Sequence, residues 1–297
     1  MTAGYDFGFS EHFYPAPDGL QLYARQYGMG NPGLPVICLP GLTRNSRDFH
    51  QLALKLSAGG PEPRRVVCLD YRGRGRSEWD ADKSHYNFLT EADDVIAACA
   101  ALGIVQAAFI GTSRGGITLH FLAGMAPKLL CAVILNDIGP VLELAGLADI
   151  QAYLSLNRRP ADFAEAAAML VDIHGPRFPA LGAHDWRDMA DAIYRRIDGR
   201  IVADFDPAIA AQLIALDLSK PAGDLWTQFD DFAGMPLMVV RGEKSSLLSA
   251  ETVAQMVERH PGMAVVLAKG QGHAPLLHLD GIAETIASFI TANAQER

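Results

Sequence analysis

From Pro35 onward, short apolar runs alternate with stretches whose apolar residues recur every three or four positions. The runs 35–39, 65–69, 107–110, 131–135, 236–240 and 263–268 read as buried strands. Helical spacing covers 49–57, 91–102, 116–126, 252–259 and 282–291. Strands apolar on both faces, separated by helices, imply an α/β architecture: a mostly parallel sheet with helices on both sides. The beginning differs. Residues 11–15 and 20–27 flank Ala16-Pro17-Asp18-Gly19, a reversal signal that predicts a hairpin.

One interval breaks the alternation. Between Asn136 and Leu237 the pattern is helical over 145–156, 161–173, 186–197 and 207–218, and no strand is expected. Gly139-Pro140, Gly175-Pro176 and Lys220-Pro221 punctuate it. The expected division is a sheet domain from 1–138 and 227–297, with 139–226 as a helical insertion. No internal repeat or low-complexity linker interrupts either part.

Composition narrows the function classes. Of 297 residues, 49% are hydrophobic, ample for a large core. A formal charge of −9 argues against nucleic acid or an anionic membrane as partner, leaving a small molecule. Arg72, Arg74 and Arg76 lie between glycines and are expected to be loop contacts and surface charges. Met1 to Ser10 lacks a basic start and an apolar stretch, so no secretory signal is expected, and no apolar run is long enough to span a bilayer. Cys38, Cys68 and Cys131 fall in strands and Cys99 on a helix, as expected of buried free thiols in a cytoplasmic protein. No cysteine has a second cysteine or histidine at metal-ligand spacing, and the histidines and acids are scattered. Asp93-Asp94 and Asp230-Asp231 read as solvated charges, so neither metal nor cofactor is expected.

Candidate chemistry centres on Gly111-Thr112-Ser113-Arg114-Gly115, a G-x-S-x-G pattern between the 107–110 strand and a helix. That context holds a serine out at the sheet edge, where a helix N-terminus and backbone N–H groups can stabilise an oxyanion. A serine hydroxyl needs a base. His273 follows the 263–268 strand at its carboxyl end, in a loop made tight by Gly270 and Gly272. The other histidines fit the role less well. His120 reads as packed behind the serine, His50 and His260 as helix surface, and His278 as close to a helix start; His174 and His184 fall in the insertion.

Further segments fall in a familiar order. Val36-Ile37-Cys38-Leu39-Pro40-Gly41-Leu42-Thr43 is a strand and loop. Asp70-Tyr71-Arg72-Gly73-Arg74-Gly75-Arg76-Ser77 matches D-x-R-G-x-G-x-S, and Gly270-Gln271-Gly272-His273 closes the series. With the serine pattern, these resemble the α/β-hydrolase superfamily over nearly the whole chain. The resemblance implies an α/β-hydrolase fold, a helical cap over the serine, and an oxyanion hole from the backbone N–H groups of Leu42 and Arg114. The Arg114 side chain reads as a surface or loop-pairing cation, with a substrate carboxylate as its alternative partner.

The resemblance also implies an acid after the 236–240 strand, and there the chain departs from it. Ser245 and Ser246 stand at that place. Asp137, ending the 131–135 strand, preserves the order nucleophile–acid–histidine, although Asn136-Asp137-Ile138-Gly139-Pro140 also reads as a turn. Glu243 lies on the expected loop, and a third reading has Ser246 supplying only a hydrogen bond. The expected function is a cofactor-independent serine hydrolase of a small carboxylic ester or lactone. Hydrolysis of a C–C bond, as in meta-cleavage-product hydrolases, acyl transfer, and a binding or receptor role with an impaired triad are the alternatives. Epoxide hydrolase and dehalogenase activities need an aspartate where Ser113 stands.

Overall fold

The structure is a computed structural model that describes residues 5–59, 62–156, 158–220 and 223–294. Residues 1–4 of the N-terminal stretch and Pro221 lie outside the described residues.

The hairpin forms as the reversal predicts, from β1 (Ser10–Pro15) and β2 (Gln21–Tyr27). Then follow β3 (Val36–Leu39), α1 (His50–Ala58), β4 (Val66–Asp70), α2 (Phe88–Ala101), β5 (Ala107–Thr112), α3 (Arg114–Met125) and β6 (Leu130–Asn136). After a long insertion come β9 (Leu237–Gly242), α9 (Ala250–Arg259), β10 (Ala264–Ala268) and α10 (Ile282–Asn293). The sheet runs β1-β2-β4-β3-β5-β6-β9-β10. β2 pairs antiparallel with both β1 and β4, and every other pairing is parallel.

Its central strands are buried along their whole length, as continuous apolar runs require. Alternate side chains feed two cores. On one face Ile37, Val67, Phe109, Val133 and Val239 pack with residues of α2 and α3. On the other, Val36, Cys68, Ile110, Ile134 and Val240 pack with residues of α1 and α10. All four cysteines are buried, and Cys38, Cys68 and Cys99 are free thiols.

The insertion holds α4 (Leu144–Leu154), α5 (Phe163–His174), α6 (Ala183–Ile193) and α7 (Pro207–Ile214), and α8 (Trp226–Asp230) leads back into the sheet domain, where Phe229 joins its core. It has a small apolar cluster of its own around Leu170, Phe178 and Trp186. The absence of strands expected here is corrected. β7 (Tyr194–Ile197) and β8 (Arg200–Ala203) form an antiparallel ribbon. Asp198 and Gly199, with φ of 48° and 79°, make the two-residue left-handed turn that Asp-Gly favours. The helix expected to reach Ile197 therefore stops at Ile193.

The charges around the D-x-R-G-x-G-x-S segment also need correction. Arg72 and Arg74 are among the largest fully buried side chains rather than surface charges. Arg72 bonds Asp94 at 2.7 Å through both Nε and Nη2, so Asp94 is a buried partner and not a solvated charge. Such pairs persist in a core only when each charge is matched and hydrogen-bonded.

Candidate active site

Ser113 sits between β5 and α3 with φ of 51°, a left-handed conformation for a residue with a side chain. Its neighbours must be small. A Cβ at Gly115 would lie 2.2 Å from the Leu39 carbonyl oxygen, and one at Gly111 would lie 2.6 Å from the Gly116 nitrogen. The glycines of the pattern thus let helix and strand close on each other and hold the serine out at the sheet edge.

Ser113 Oγ lies 2.9 Å from His273 Nε2, and His273 Nδ1 lies 2.9 Å from Asp137 Oδ2. An ionised carboxylate only accepts hydrogen bonds, so Nδ1 carries the proton and Nε2 is left to accept from the serine hydroxyl. Asp137 is wholly buried and its φ is 53°. Its Oδ1 accepts from the Gly242 N–H at 2.8 Å, and its own N–H donates to the Val240 carbonyl. The carboxylate therefore leaves the end of β6 but is clamped by the end of β9. Gly242 is needed at that crossing, since a Cβ there would meet the Gly272 carbonyl oxygen at 2.5 Å. A carboxylate from either strand can reach the same imidazole.

The other two acid candidates are elsewhere. Glu243 accepts from the Gly270 N–H at 2.9 Å and is exposed. Ser246 donates to Asp149 Oδ2 at 2.8 Å and bonds Arg177, so it makes no contact with His273. The histidines sort less simply. His50 is fully buried, not surface, with Nδ1 2.9 Å from the Tyr27 hydroxyl. His260 is half-buried and bonds the Phe232 carbonyl. Burial pushes His50, His120, His174 and His278 down to about 4.

The loop after β3 places Leu42 in the lining of the same cavity as Ser113, and the Arg114 N–H heads α3. Among the described residues neither N–H donates to a side chain or to a carbonyl outside the regular elements. Both are free for an oxyanion. The Arg114 side chain pairs internally: Nε meets Glu91 Oε2 at 2.7 Å and Nη2 donates to the Tyr86 carbonyl.

The sequence reading missed several groups here. Asn136 donates to Thr112 Oγ1 at 3.1 Å and to the Pro275 carbonyl at 3.0 Å, tying the serine strand to the histidine loop. Glu91 is buried on α2 between Arg74 and Arg114. A polar residue ending a core strand was the available signal for Asn136, whereas nothing local marks Glu91. The cavity over the serine measures about 1280 Å³ and is walled largely by the insertion, including Tyr153, His174 and Phe178. Three of its arginines are paired: Arg44 with Asp48, Arg158 with Asp172, and Arg177 with Asp149. Asp18, Asp80 and His85 bring three potential ligand atoms within 4.8 Å, so the acids are less scattered than the sequence suggests. Arg72 already bonds Asp18 at 2.9 Å and Asp80 at 2.5 Å, so both carboxylates have a cationic partner.

A family model described as alpha/beta hydrolase fold matches residues 35–278. A 3-hydroxybutyrate-oligomer hydrolase from Cupriavidus necator is 36% identical over 290 residues, covering 93% of this chain and 94% of the relative. A crystal structure of an alpha/beta hydrolase from Novosphingobium aromaticivorans superposes with a TM-score of 0.85 at 36% identity, covering 96% of this chain and 98% of that one. The crystal structure of E-2-(acetamidomethylene)succinate hydrolase superposes with a TM-score of 0.78 at 26% identity, covering 95% and 99%.

Proposed function

The chain belongs to the α/β-hydrolase fold family, and from that premise we propose that it is a serine-type carboxylic ester hydrolase acting on short esters of hydroxy acids. One observation carries the reading: the unbroken relay from Ser113 Oγ through His273 to Asp137, with both contacts at 2.9 Å. A complete relay gives no support to a binding protein with an impaired triad.

His273 takes the Ser113 proton as Oγ attacks the ester carbonyl carbon, and Asp137 stabilises the imidazolium that forms. The carbonyl oxygen becomes an oxyanion facing the Leu42 and Arg114 N–H groups. Donors of this kind contribute about 3 kcal/mol each. The intermediate collapses, His273 protonates the departing alcohol, and an acyl-Ser113 ester remains. His273 then deprotonates water, which attacks the acyl carbon and frees the acid and Ser113.

The 3-hydroxybutyrate-oligomer hydrolase at 36% identity favours linear oligomers of 3-hydroxybutyrate as the substrate class. The cavity leaves room for an extended ligand of that class, since about 1280 Å³ exceeds the roughly 300–1,000 Å³ of ordinary ligand pockets. Its wall carries five arginines against three aspartates, which favours a substrate with a free carboxylate. The insertion serves as the cap that encloses it. The buried free thiols of Cys38, Cys68 and Cys99 fit a reducing compartment, the cytoplasm.

A fluorophosphonate tests the reading. Stoichiometric labelling of the peptide containing Ser113, abolished in Ser113→Ala, is the expected result, together with release of 3-hydroxybutyrate from its dimer and trimer. Folded protein that resists labelling would sink the serine mechanism; labelling without release would remove only the substrate class.

A further inference from the structure

Glu91 and the two arginines it holds form a buried charge cluster directly behind the candidate oxyanion hole. Glu91 and Arg74 are fully buried and Arg114 nearly so. Glu91 Oε1 meets Arg74 Nη1 at 2.8 Å and Oε2 meets Arg114 Nε at 2.7 Å, so one carboxylate bridges two guanidinium groups. Arg74 Nε donates to the Leu42 carbonyl at 2.8 Å, and its Nη1 also donates to the Arg72 carbonyl at 2.9 Å. The cluster thereby touches both residues whose N–H groups line the oxyanion position. It grips Leu42 through its carbonyl and Arg114 through its side chain.

Two features go beyond a single bridge. Arg74 also bonds the Arg72 carbonyl, and Arg72 pairs with Asp94, Asp80 and Asp18, so the bridge at Glu91 is one part of a larger buried ion network that fixes this loop. Arg74 Nη2 is buried and has no hydrogen-bond partner. A fold that needed only an anchor would not leave a buried guanidinium nitrogen unpartnered, because that costs stability. N–H donors held in place at an atom that becomes negative only in the transition state lower the barrier without tightening substrate binding.

We propose that Glu91 and Arg74 are positioning residues for the oxyanion hole, holding the Leu42 loop against the head of α3. The proposal rests on the serine-hydrolase reading. Arg74→Met removes the bonds to the Leu42 and Arg72 carbonyls while leaving Glu91 paired with Arg114. It is expected to lower kcat for p-nitrophenyl acetate by roughly tenfold to a hundredfold per labelled site, with KM within about threefold of the parent. Affinity for a trifluoromethyl ketone, which forms an alkoxide on Ser113, is expected to fall by the same factor as kcat/KM. A merely structural role would reduce the folded fraction but not the rate per labelled site or the ketone affinity.

Arg74→Lys keeps the charge but cannot span Glu91, Arg72 and Leu42 together. It carries the test with a smaller loss, about fivefold, if Arg74→Met does not fold. A per-site kcat within twofold of the parent in a folded variant, or unchanged ketone affinity, would overturn the proposal alone. Failure of the parent protein to label with fluorophosphonate would overturn the serine mechanism and this proposal together.

Discussion

At the residue scale, the decisive contact is Asp137 with His273, since it separates a working relay from a relict. His273 Nδ1 and the Gly242 N–H share the two oxygens of a carboxylate with no exposure to solvent. An amide at that position can present its NH₂ to the imidazole and favour the wrong tautomer, a change that costs about 10⁴-fold in a serine protease. Asp137→Asn is therefore expected to reduce ester turnover by roughly 10³–10⁴-fold, whereas Glu243→Gln, which loses only an exposed bond to a loop N–H, stays within about threefold. Ser246→Asp should bring no gain, because its carboxylate would face Asp149, which now accepts from the Ser246 hydroxyl at 2.8 Å. Steady-state kinetics on one ester decides all three; similar small losses in Asp137→Asn and Glu243→Gln would remove Asp137 from the relay. Ser113 and His273 were legible because their signals are local, a pattern on a strand–helix turn and a histidine between glycines. The acid was not, since either of two adjacent strands can deliver a carboxylate to one place, and only their register decides which does. Arg74 and Glu91 were still less legible. Their pairing joins a glycine-rich loop to a helix interior, and no periodicity links the two.

At the element scale, the strand–elbow–helix unit depends on the close approach of α3 to β3. Gly115 is where that approach is tightest: a Cβ would lie 2.2 Å from the Leu39 carbonyl oxygen and 2.7 Å from its carbon, both backbone atoms of a central strand. Neither can move without parting β3 from its neighbours. Gly115→Ala is expected to destabilise the protein by about 2–3 kcal/mol, read as a lower urea midpoint. Gly30→Ala, where nothing lies within 4 Å, should change stability by no more than about 0.5 kcal/mol. Equal midpoints for the two variants would show that the helix can shift at no cost. The same scale explains why the core strands were readable and the ribbon was not. Continuous apolar runs bounded by turns announce β3 to β6 directly. By contrast, Trp186, Met189, Ala190, Ile193 and Ile197 keep helical spacing straight across the point where α6 becomes β7. Asp198-Gly199 was the local signal, outweighed by periodicity. Tertiary contacts then fix the ribbon: Arg47 and Arg195 both pair with buried Asp204 at 2.7 Å, and the Gly75 N–H donates to the Asp204 carbonyl.

At the scale of the whole molecule, charge is distributed against its own average. The chain carries −9, yet the cavity wall has more arginines than aspartates. Each of those aspartates is matched to an arginine, which leaves Arg159 and Arg200 without an acidic partner among the described residues. The wall gains no further positive charge from titration: burial first, then Arg44 and Arg177, hold His174 down to about 4, so it is neutral at pH 7. A low-dielectric cleft of one sign focuses its field on an incoming ligand, even when the molecule as a whole has the opposite sign. For a linear hydroxyacyl oligomer, the group that responds is the terminal carboxylate, some distance from the ester being cut. The 3-hydroxybutyrate trimer is therefore expected to show kcat/KM roughly tenfold above that of its methyl ester at low salt. The ratio should contract toward unity near 1 M salt, where screening acts over about 3 Å. Replacing both free arginines, Arg159→Gln with Arg200→Gln, should collapse the low-salt ratio in the same way. A methyl ester turned over as fast as the free acid by the parent protein at low salt would mean that the cavity reads the acyl chain alone, with its arginines serving only to pair the aspartates beside them.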